Sequence, residues 1–332
     1  MREIPATWMR GGTSKCWVFE HDDLRIPGRT VDEVLLRLYG SPDPRQVDGV
    51  GGGTSTTSKA VLLARGTGAA DVDYTFAQVA TEEQRVDWGS NCGNCSSVVA
   101  LWAVRRGWAP ARPGTTRVRV LNTNTGQLIV QEVPTPDGRL VEEGSARIPG
   151  VPFPGVPVHL WFADPAGATT GALFPTGRAV DRLDGPTGPV TATLVDAGAP
   201  VVAVPAQQVG LTGRESPAEI DARPGLLAAL DRVRRSAAVL MGLAPNPAAA
   251  ERAVPKLALV APPAGGAADA DVEVRMLSMG RVHPALAITG SVALTVAAAE
   301  PATVVAAARG AALPAPNGTD SVLRIATPAG TV

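Results

Sequence analysis

A chain of 332 residues with 45% apolar and 18% charged side chains is too long for one ordinary hydrophobic core, so we expect two domains. Its 30 lysine and arginine residues nearly balance 31 aspartate and glutamate residues, and a net charge of −1 makes nucleic acid an unexpected partner. The most apolar stretch, residues 290–308, is interrupted by Glu300 and Pro301, so we expect no membrane span and no membrane partner.

The cysteine count and the first residues indicate a compartment. Three cysteines cannot form a complete set of disulfides, which is typical of a reducing environment. The opening MREIPATWMRGG lacks the apolar stretch of a secretory signal. We therefore predict a cytoplasmic protein.

Short β-type runs and two helices make up the first half of the chain. β-branched or alternating residues predict strands over residues 17–20, 60–64, 72–79 and 116–121. A first helix is predicted after the cap-like Thr30, over residues 31–38, with its end at Gly40. A second is predicted from Cys92 to Gly107, and because it is apolar on most sides we expect it to be buried.

A Pro/Gly-rich stretch at residues 148–184 predicts a domain boundary. Beyond it, a helical segment covers residues 217–242 with an interruption at Pro224, and an Ala-rich helix follows Thr289-Gly290-Ser291. The strands predicted in this half are residues 190–195, 201–204, 256–260 and 272–277. The pattern predicts two mixed domains, each a set of strands with a buried helix whose N-terminus faces outward.

The chain has three lysines, and two of them end similar Gly/Ser/Thr-rich runs: GGTSK ends at Lys15 and GGGTSTTSK ends at Lys59. Arginine keeps its proton at any accessible pH, whereas a lysine can be tuned to release it. A lysine beside glycines and hydroxyls is therefore a candidate for proton transfer, with chance placement as the alternative. The second run is not a phosphate-binding loop, because Ser58-Lys59-Ala60 lacks the Gly-Lys-Ser/Thr order.

The run Asn91-Cys92-Gly93-Asn94 places a cysteine and two amides at a predicted helix start. Free N–H groups and the helix dipole are expected to lower the pKa of the Cys92 thiol and to bind an anion there. The alternative is an asparagine cap with cysteines as small core residues. Cys92 and Cys95 have a redox spacing, but the surrounding sequence lacks the βαβ pattern of a thioredoxin-like fold. Three cysteines and three scattered histidines supply no ligand set, so no metal site is predicted.

Two further groups suit an anion. Arg10 precedes a glycine turn and the hydroxyls of Thr13 and Ser14, and a guanidinium can hold a carboxylate through two parallel bonds. A hairpin turn with a surface arginine is the alternative. Arg281 and His283 precede the second helix in a similar way, where a structural histidine is favoured over a catalytic one.

Taken in order, these motifs resemble the PrpF family. The resemblance rests on residues 9–15 (MRGGTSK), 46–59 (QVDGVGGGTSTTSK), 91–94 (NCGN), 174–177 (FPTG) and 278–290 (SMGRVHPALAITG). It implies an α+β, diaminopimelate epimerase-like fold: two similar domains, each a β-sheet wrapped around a central helix, with the active site in the interdomain cleft. On this chain we expect the domains at residues 1–155 and 156–318, with a C-terminal strand at 319–332 returning to the first.

Members of this family are cofactor-independent isomerases of small unsaturated di- and tricarboxylates, such as aconitate, methylaconitate, methylitaconate and oxalomesaconate. The resemblance assigns the proton transfers to Lys59 and Cys92 and implies no cofactor and no metal. It leaves open which of the two takes the first proton, which acid is the substrate, and whether the chain forms a homodimer. The residues expected to bind the substrate are Arg10, Gly12, Thr13, Ser14, Lys15, Ser55, Asn91, Gly93, Asn94, Met279, His283, Thr289, Gly290 and Ser291.

Two other functions stay open. An amino-acid epimerase or racemase of the same fold needs a second cysteine in the opposite domain, and every cysteine here precedes residue 96. A non-catalytic carboxylate-binding protein could keep the same cleft. The chain departs from the family pattern at Cys16, usually glycine, and at Cys95, usually a larger apolar residue. Family members continue past a segment like residues 323–330, so we expect a truncated chain or one without its closing strand.

Overall fold

The structure is a computed structural model that describes residues 3–66, 68–89, 91–264, 269–309 and 321–332. The chain divides into two compact units, unit 1 over Met1–Asp164 and unit 2 over Pro165–Val332. The division lies inside the Pro/Gly-rich stretch, after Asp164 rather than after residue 155. Each unit contains its own mixed sheet, helices and hydrophobic core.

Unit 1 is built on one mixed sheet. Its strands are β1 (Thr7–Gly11), β2 (Ser14–Glu20), β3 (Lys59–Arg65), β4 (Val72–Val79), β5 (Val86–Asp87), β6 (Gly114–Asn122), β7 (Leu128–Thr135) and β8 (His159–Phe162). They are ordered β1-β2-β3-β4-β6-β7-β8, with β5 paired to β4. β3 is parallel to β2 and antiparallel to β4, so side chains at the start of β3 lie opposite those at the end of β4.

Helices cover both faces of this sheet. They are α1 (Val31–Tyr39), α2 (Gly93–Ser96) and α3 (Val98–Arg105). α1 packs on one face and α2 and α3 on the other, where the curled sheet surrounds them with contacts from β1, β2, β3, β4, β6 and β7. A sheet wrapped around a buried helix is the arrangement that the apolar sequence of α3 requires.

The ends of α1 confirm the predicted helix. Thr30 accepts a hydrogen bond from the Glu33 N–H while the Glu33 carboxylate accepts one from the Thr30 N–H, which together form a capping box. The helix ends at Gly40, whose φ of 73° is in the left-handed region that glycine adopts without strain.

The predicted second helix is present as two consecutive pieces, α2 and α3, with Ser97 between them. The hydroxyls of Ser96 and Ser97 donate to the carbonyls of Gly93 and Asn94, each 2.8 Å away. Serine hydroxyls that bond to the backbone one turn earlier compete with the helix ladder, which accounts for the interruption.

Unit 2 has a second mixed sheet. Its strands are β9 (Asp181–Gly185), β10 (Gly188–Ala197), β11 (Ala199–Pro205), β12 (Lys256–Ala261), β13 (Val272–Ser278), β14 (Arg281–Val282), β15 (Ile325–Thr327) and β16 (Gly330–Thr331). They are ordered β16-β15-β13-β12-β11-β10-β9, with β14 paired to β13. β12 is parallel to β11 and antiparallel to β13, which repeats the pairing of β3 in unit 1.

The helices of unit 2 also lie on both faces of its sheet. They are α4 (Pro217–Asp221), α5 (Pro224–Leu240), α6 (Ile288–Ala299) and α7 (Val304–Arg309). α5 packs on one core and α6 with α7 on the other. α6 begins at Ile288, so Thr289, Gly290 and Ser291 lie in its first turn instead of preceding it. None of the helices within the described ranges is long and apolar enough to cross a bilayer.

The C-terminal segment joins the second sheet. β15 pairs in parallel with β13, with Val272 opposite Ile325, and β16 folds back antiparallel onto β15. The expected return of residues 319–332 to the first domain is therefore wrong for the part that is described, residues 321–332. An edge of β13 next to β15 is available within unit 2, and the Arg324 side chain reinforces the pairing with an ion pair to Asp271, 3.1 Å apart.

Candidate functional site

Lys59 lies buried at the start of β3, and its side-chain partners are neutral. Its Nζ donates to Gln78 Oε1 at 2.6 Å and lies 4.9 Å from the centre of the Phe76 ring. The Tyr39 hydroxyl donates to the Lys59 carbonyl and ties the strand to α1. No carboxylate in the described ranges forms an ion pair with this amine, so its contacts are those of the Gln78 amide and the Phe76 ring.

Cys92 is the N-cap of α2, close enough to Lys59 for the two charges to interact. Its Sγ accepts from the Cys95 N–H at 3.4 Å, and its carbonyl accepts from the Tyr74 hydroxyl at 3.2 Å. A hydrogen bond with the Cys95 thiol, followed by burial, raises the pKa of Cys92 well above its ordinary value, and the nearby Lys59 cation opposes this. The expected lowering of this pKa at the helix start is therefore wrong. The short helix α2 contributes one N–H contact to the sulfur, which burial and a second thiol outweigh.

The hairpin between β1 and β2 packs directly on α2. A Cβ at Gly11 would collide with the Asn94 carbonyl, and one at Gly12, whose φ is 54°, would collide with Asn94 Oδ1. The Thr13 N–H donates to that same oxygen at 3.4 Å. Gly12 and Asn94, both predicted to bind substrate, thus have a structural role in bringing hairpin and helix together. Gly93 is buried in the first turn of α2.

Several buried polar atoms in this region have no hydrogen-bond partner among the described residues. They are Arg10 Nη1, Thr13 Oγ1, Ser14 Oγ and both side-chain heteroatoms of Asn91. Ser14 and Asn91 are 4% and 2% exposed. Buried polar groups in native proteins are almost always paired, so a cluster of unpaired ones next to α2 is typical of a site that a polar ligand completes.

Lys15 and Ser55 lie at the edge of this region. Lys15 is directly opposite Arg10 in the β1–β2 ladder, and like charges in that position repel each other. The Lys15 N–H donates to the carbonyl of Thr56 at 3.0 Å, which links the hairpin to the loop at residues 51–58. Ser55 is half-buried within that loop. A bound anion would relieve the repulsion between the two cations.

In unit 2 the predicted residues fall into two groups. Met279 and Gly280 form the tight turn between β13 and β14, and both have positive φ, 56° and 80°. A left-handed methionine is unusual outside glycine-rich turns and stores strain. His283 is buried, and its Nδ1 accepts from the Ala285 N–H at 3.0 Å, so this nitrogen carries no proton. That contact supports the structural role of His283 that the sequence favoured.

The first turn of α6 contains the second group. Thr289 is fully buried, and its Oγ1 has no hydrogen-bond partner among the described residues. Ser291 donates to the Ile288 carbonyl at 2.7 Å. A Cβ at Gly290 would meet the end of the Met276 side chain, and Lys256 lies beside it with its Cδ 3.8 Å away. Of these residues, Thr289 offers the free hydroxyl.

Sequence reasoning missed Gln78, the hydrogen-bond acceptor for Lys59. In the sequence Gln78 is one polar residue of an alternating strand. Its contact with Lys59 follows only from the pairing of β3 with β4. It also missed Gln46, whose side chain joins Gly53 and Ser58 across the glycine-rich loop. Among the residues that the structure describes, no group of three histidine, cysteine or acidic side chains is placed to hold a metal ion.

Comparison with known proteins gives consistent matches. A family model described as PrpF protein matches residues 1–332. The 2-methyl-aconitate isomerase of Shewanella oneidensis is 39% identical over 356 residues, covering 99% of this chain and 88% of that protein. The 4-oxalomesaconate tautomerase of Pseudomonas putida is 42% identical over 295 residues, covering 89% of this chain and 79% of that protein.

A solved structure extends the likeness to the fold. The crystal structure of methylitaconate-delta-isomerase matches with a TM-score of 0.77 and 36% identity, covering 99% of this chain and 87% of that one. The match confirms the predicted α+β, diaminopimelate epimerase-like class, with two curled mixed sheets that each enclose a helix.

Proposed function

This chain belongs to the PrpF family and is an isomerase, and from that premise we propose that it moves a proton and a double bond within a small unsaturated polycarboxylate. Lys59 and Cys92 carry the protons. The substrate is of the kind that its relatives' names indicate: 2-methylaconitate, oxalomesaconate or methylitaconate.

The observation that carries this proposal is that the buried amine of Lys59 lies close enough to the thiol of Cys92 for the two charges to interact. The amine is held by a neutral amide and an aromatic ring, and the raised pKa of Cys92 keeps its thiol protonated at neutral pH, so the thiol can give a proton. We therefore assign the base to Lys59 and the acid to Cys92.

The chemistry balances with these two groups alone. Lys59 removes a proton from the carbon at one end of the allylic system, and the C–H electron pair delocalises through the double bond onto a carboxylate. Cys92 then delivers a proton to the other end, the double bond moves, and a proton returns from the ammonium to the thiolate or through solvent. No electrons are exchanged with an external acceptor, so the reaction as proposed uses no redox cofactor.

The two groups assist each other electrostatically. When Lys59 becomes an ammonium, its positive charge lowers the pKa of the Cys92 thiol, which makes the thiol a better acid at the moment when a proton is required. The carbanion between these two steps carries its extra charge on carboxylate oxygens. The unpaired donors of Arg10, Thr13 and Asn91 are suited to hold such oxygens, because each has a buried atom without a partner in the described chain.

Incubation with unsaturated acids in D₂O tests the proposal. The panel contains methylaconitate, trans-aconitate, methylitaconate and oxalomesaconate, followed by proton NMR. We expect deuterium to enter the allylic positions of at least one acid and a positional or geometric isomer of it to accumulate. Failure of every acid to exchange or isomerise contradicts the proposal.

The same experiment separates the epimerase alternative. Proline, hydroxyproline and diaminopimelate serve as amino-acid controls, and exchange of their α-protons without exchange in the panel acids favours an epimerase. All three cysteines of the chain lie in unit 1, which disfavours a mechanism with one thiol from each unit.

A further inference from the structure

We propose that Gln78 is a positioning residue that holds the amine of Lys59 in both of its protonation states. The inference rests on the proposed role of Lys59 as the base. Gln78 lies on β4, whereas Lys59 lies on β3. Its side chain orients the Lys59 amine through a hydrogen bond and carries no charge that would hold the proton on that amine.

The strand register places Gln78 between two ionisable side chains. Lys59 of β3 lies opposite Gln78 of β4, and Gln78 lies opposite Asp87 of β5, so the three residues form a row across three strands. Directly opposed residues share a face of the sheet and lie about 5 Å apart. Gln78 therefore separates the Lys59 amine from the nearest carboxylate in this row.

The hydrogen bonds of Gln78 fix the orientation of its amide. Its Nε2 donates to the Ser58 carbonyl at 2.8 Å, so its Oε1 is the atom that faces Lys59, 2.6 Å from Nζ. Gln78 is 3% exposed. An amide with its donor already committed and its acceptor presented to an amine is oriented by the fold.

A neutral acceptor suits a lysine that must gain and lose a proton. Both an ammonium and a neutral amine carry an N–H that can donate to Oε1, so this bond persists when Lys59 releases its proton, and the lone pair then points away from Gln78. A carboxylate in the same place would stabilise the ammonium by direct charge attraction and hold the proton on Lys59.

The other groups on this face of the sheet bear on the same equilibrium. Asp87 Oδ2 has no hydrogen-bond partner in the described ranges and lies 4.0 Å from Arg85 Nη2. Among the described residues, the other titratable groups in the core on this face are Cys92 and Cys95 of α2, Cys16 of β2 and Tyr74 of β4. Asp87 is the carboxylate among them, and Gln78 lies between it and Lys59.

Two substitutions distinguish the effect of Gln78 on the position of the Lys59 amine from its effect on the protonation of that amine. Gln78→Met removes the acceptor at similar volume, and we expect kcat to fall about 10- to 100-fold with KM nearly unchanged, the range of a mispositioned acid–base group. Gln78→Glu keeps an acceptor and adds a charge. We expect the rising limb of its kcat/KM profile to move to higher pH by about one unit or more, a loss of about tenfold near neutral pH that alkali restores.

Gln127→Met is the matched control. Gln127 is also a buried glutamine of unit 1, with its Nε2 donating to the Leu128 carbonyl at 3.1 Å, and it shares no hydrogen-bond partner with Lys59 or Gln78. We expect the activity and pH profile of this variant to stay near those of the unchanged protein. Equal effects from Gln127→Met and Gln78→Met would assign Gln78 a merely structural role and overturn the proposal.

A measurement without turnover keeps this inference separate from the proposed function. With ¹⁵N-labelled lysine the chain gives three side-chain signals, and loss of one in Lys59→Arg assigns Lys59. We expect Gln78→Glu to shift the titration of that signal to higher pH, and an unshifted titration overturns the inference even in an active enzyme.

If the variants do not fold, NOEs between the Gln78 amide and the Lys59 methylenes in the unchanged protein decide, and their absence at every pH also overturns the inference. An inactive protein with a shifted titration would refute the proposed reaction alone.

Discussion

Units 1 and 2 each begin a central strand with a buried lysine, yet they surround it differently. Lys59 starts β3 and Lys256 starts β12, and both strands are parallel to one neighbour and antiparallel to the other. Lys59 Nζ meets the Gln78 side chain, whereas Lys256 Nζ donates to a backbone carbonyl, that of Ala253, at 3.3 Å. The same strand position therefore places the amine against a side-chain amide in unit 1 and against a main-chain carbonyl in unit 2.

The helix beside each lysine differs as well. In unit 1 the first turn is preceded by Cys92, whose thiol interacts with Lys59. In unit 2 the first turn of α6 contains Thr289, with a buried and unpaired hydroxyl, and no cysteine lies in that half of the chain. The two units therefore differ at this helix: among the described residues, unit 1 places the Cys92 thiol near its buried lysine, whereas the first turn of α6 in unit 2 presents the Thr289 hydroxyl.

The largest expected effect comes from replacing the two lysines in turn. Lys59→Met should lower kcat by about 10³- to 10⁴-fold, because a general base contributes up to that much, whereas Lys256→Met should stay within about tenfold. Lys59→Arg should be as inactive as Lys59→Met, since arginine keeps the charge but does not release its proton. The measurement is the isomerisation rate of the best acid in the panel.

Equal losses at Lys59 and Lys256 would mean that both units supply proton carriers, which contradicts the comparison. Substantial activity in Lys59→Arg would show that the amine serves as a charge and not as a base. Thermal unfolding of each variant excludes loss of structure as the cause.

A smaller and more specific effect is expected from Cys92→Ser. A serine hydroxyl is a far weaker acid than a thiol, so we expect isomer formation to fall about 100-fold. Exchange of the substrate proton into D₂O should continue, because Lys59 can still remove it and return a deuteron to the same carbon. The NMR assay measures both rates in one sample.

Cys95→Ala is the companion variant, since Cys95 contacts Cys92 and is itself fully buried. We expect its activity to stay within about tenfold of the unchanged protein. Loss of exchange together with isomerisation in Cys92→Ser would assign the first proton to Cys92 and reverse the proposed order.

The features that the sequence predicts correctly are those that depend on neighbouring residues in the chain. The capping box at Thr30, the glycine end at Gly40 and the buried helix after Cys92 follow from neighbouring residues, and they appear in the structure. The row Lys59-Gln78-Asp87 depends on strand register, which pairs Lys59 with a residue 19 positions later and has no local signature. Gln78 could not be recognised from the sequence, because its position opposite Lys59 depends on this register.

Two predictions failed for reasons that are also non-local. The short strand β15 has little sequence of its own to specify a partner, and the edge of β13 in its own unit decides its pairing. The pKa of Cys92 moves upward because burial and the neighbouring Cys95 thiol outweigh the helix start. Composition around residue 92 shows two cysteines but not that their thiols meet.

The smallest expected effect is on stability, and it also distinguishes the units. Burial raises the pKa of Tyr39, Tyr74 and Cys95, and contact with Cys95 followed by burial raises that of Cys92; all four groups lie in unit 1. Each favours its protonated form in the folded state, so its contribution is complete below the unfolded pKa and is lost as pH rises toward the folded one. With unfolded values of about 8.5 for thiols and about 10 for phenols, unit 1 should weaken from about pH 8.5 upward.

Fluorescence can follow this loss in unit 1 alone. All six tryptophans, at positions 8, 17, 88, 102, 108 and 161, precede Pro165, so tryptophan emission reports on unit 1 while circular dichroism reports on the whole chain. We expect the urea midpoint seen by fluorescence to fall between about pH 8 and about pH 10.5, the range that spans the unfolded thiol and phenol values, and to fall less in Cys95→Ala. That variant removes one buried thiol and the contact that raises the pKa of Cys92. A midpoint that stays constant over this range, or an equal slope in Cys95→Ala, would show that the buried thiols of unit 1 do not couple its folding to alkaline pH.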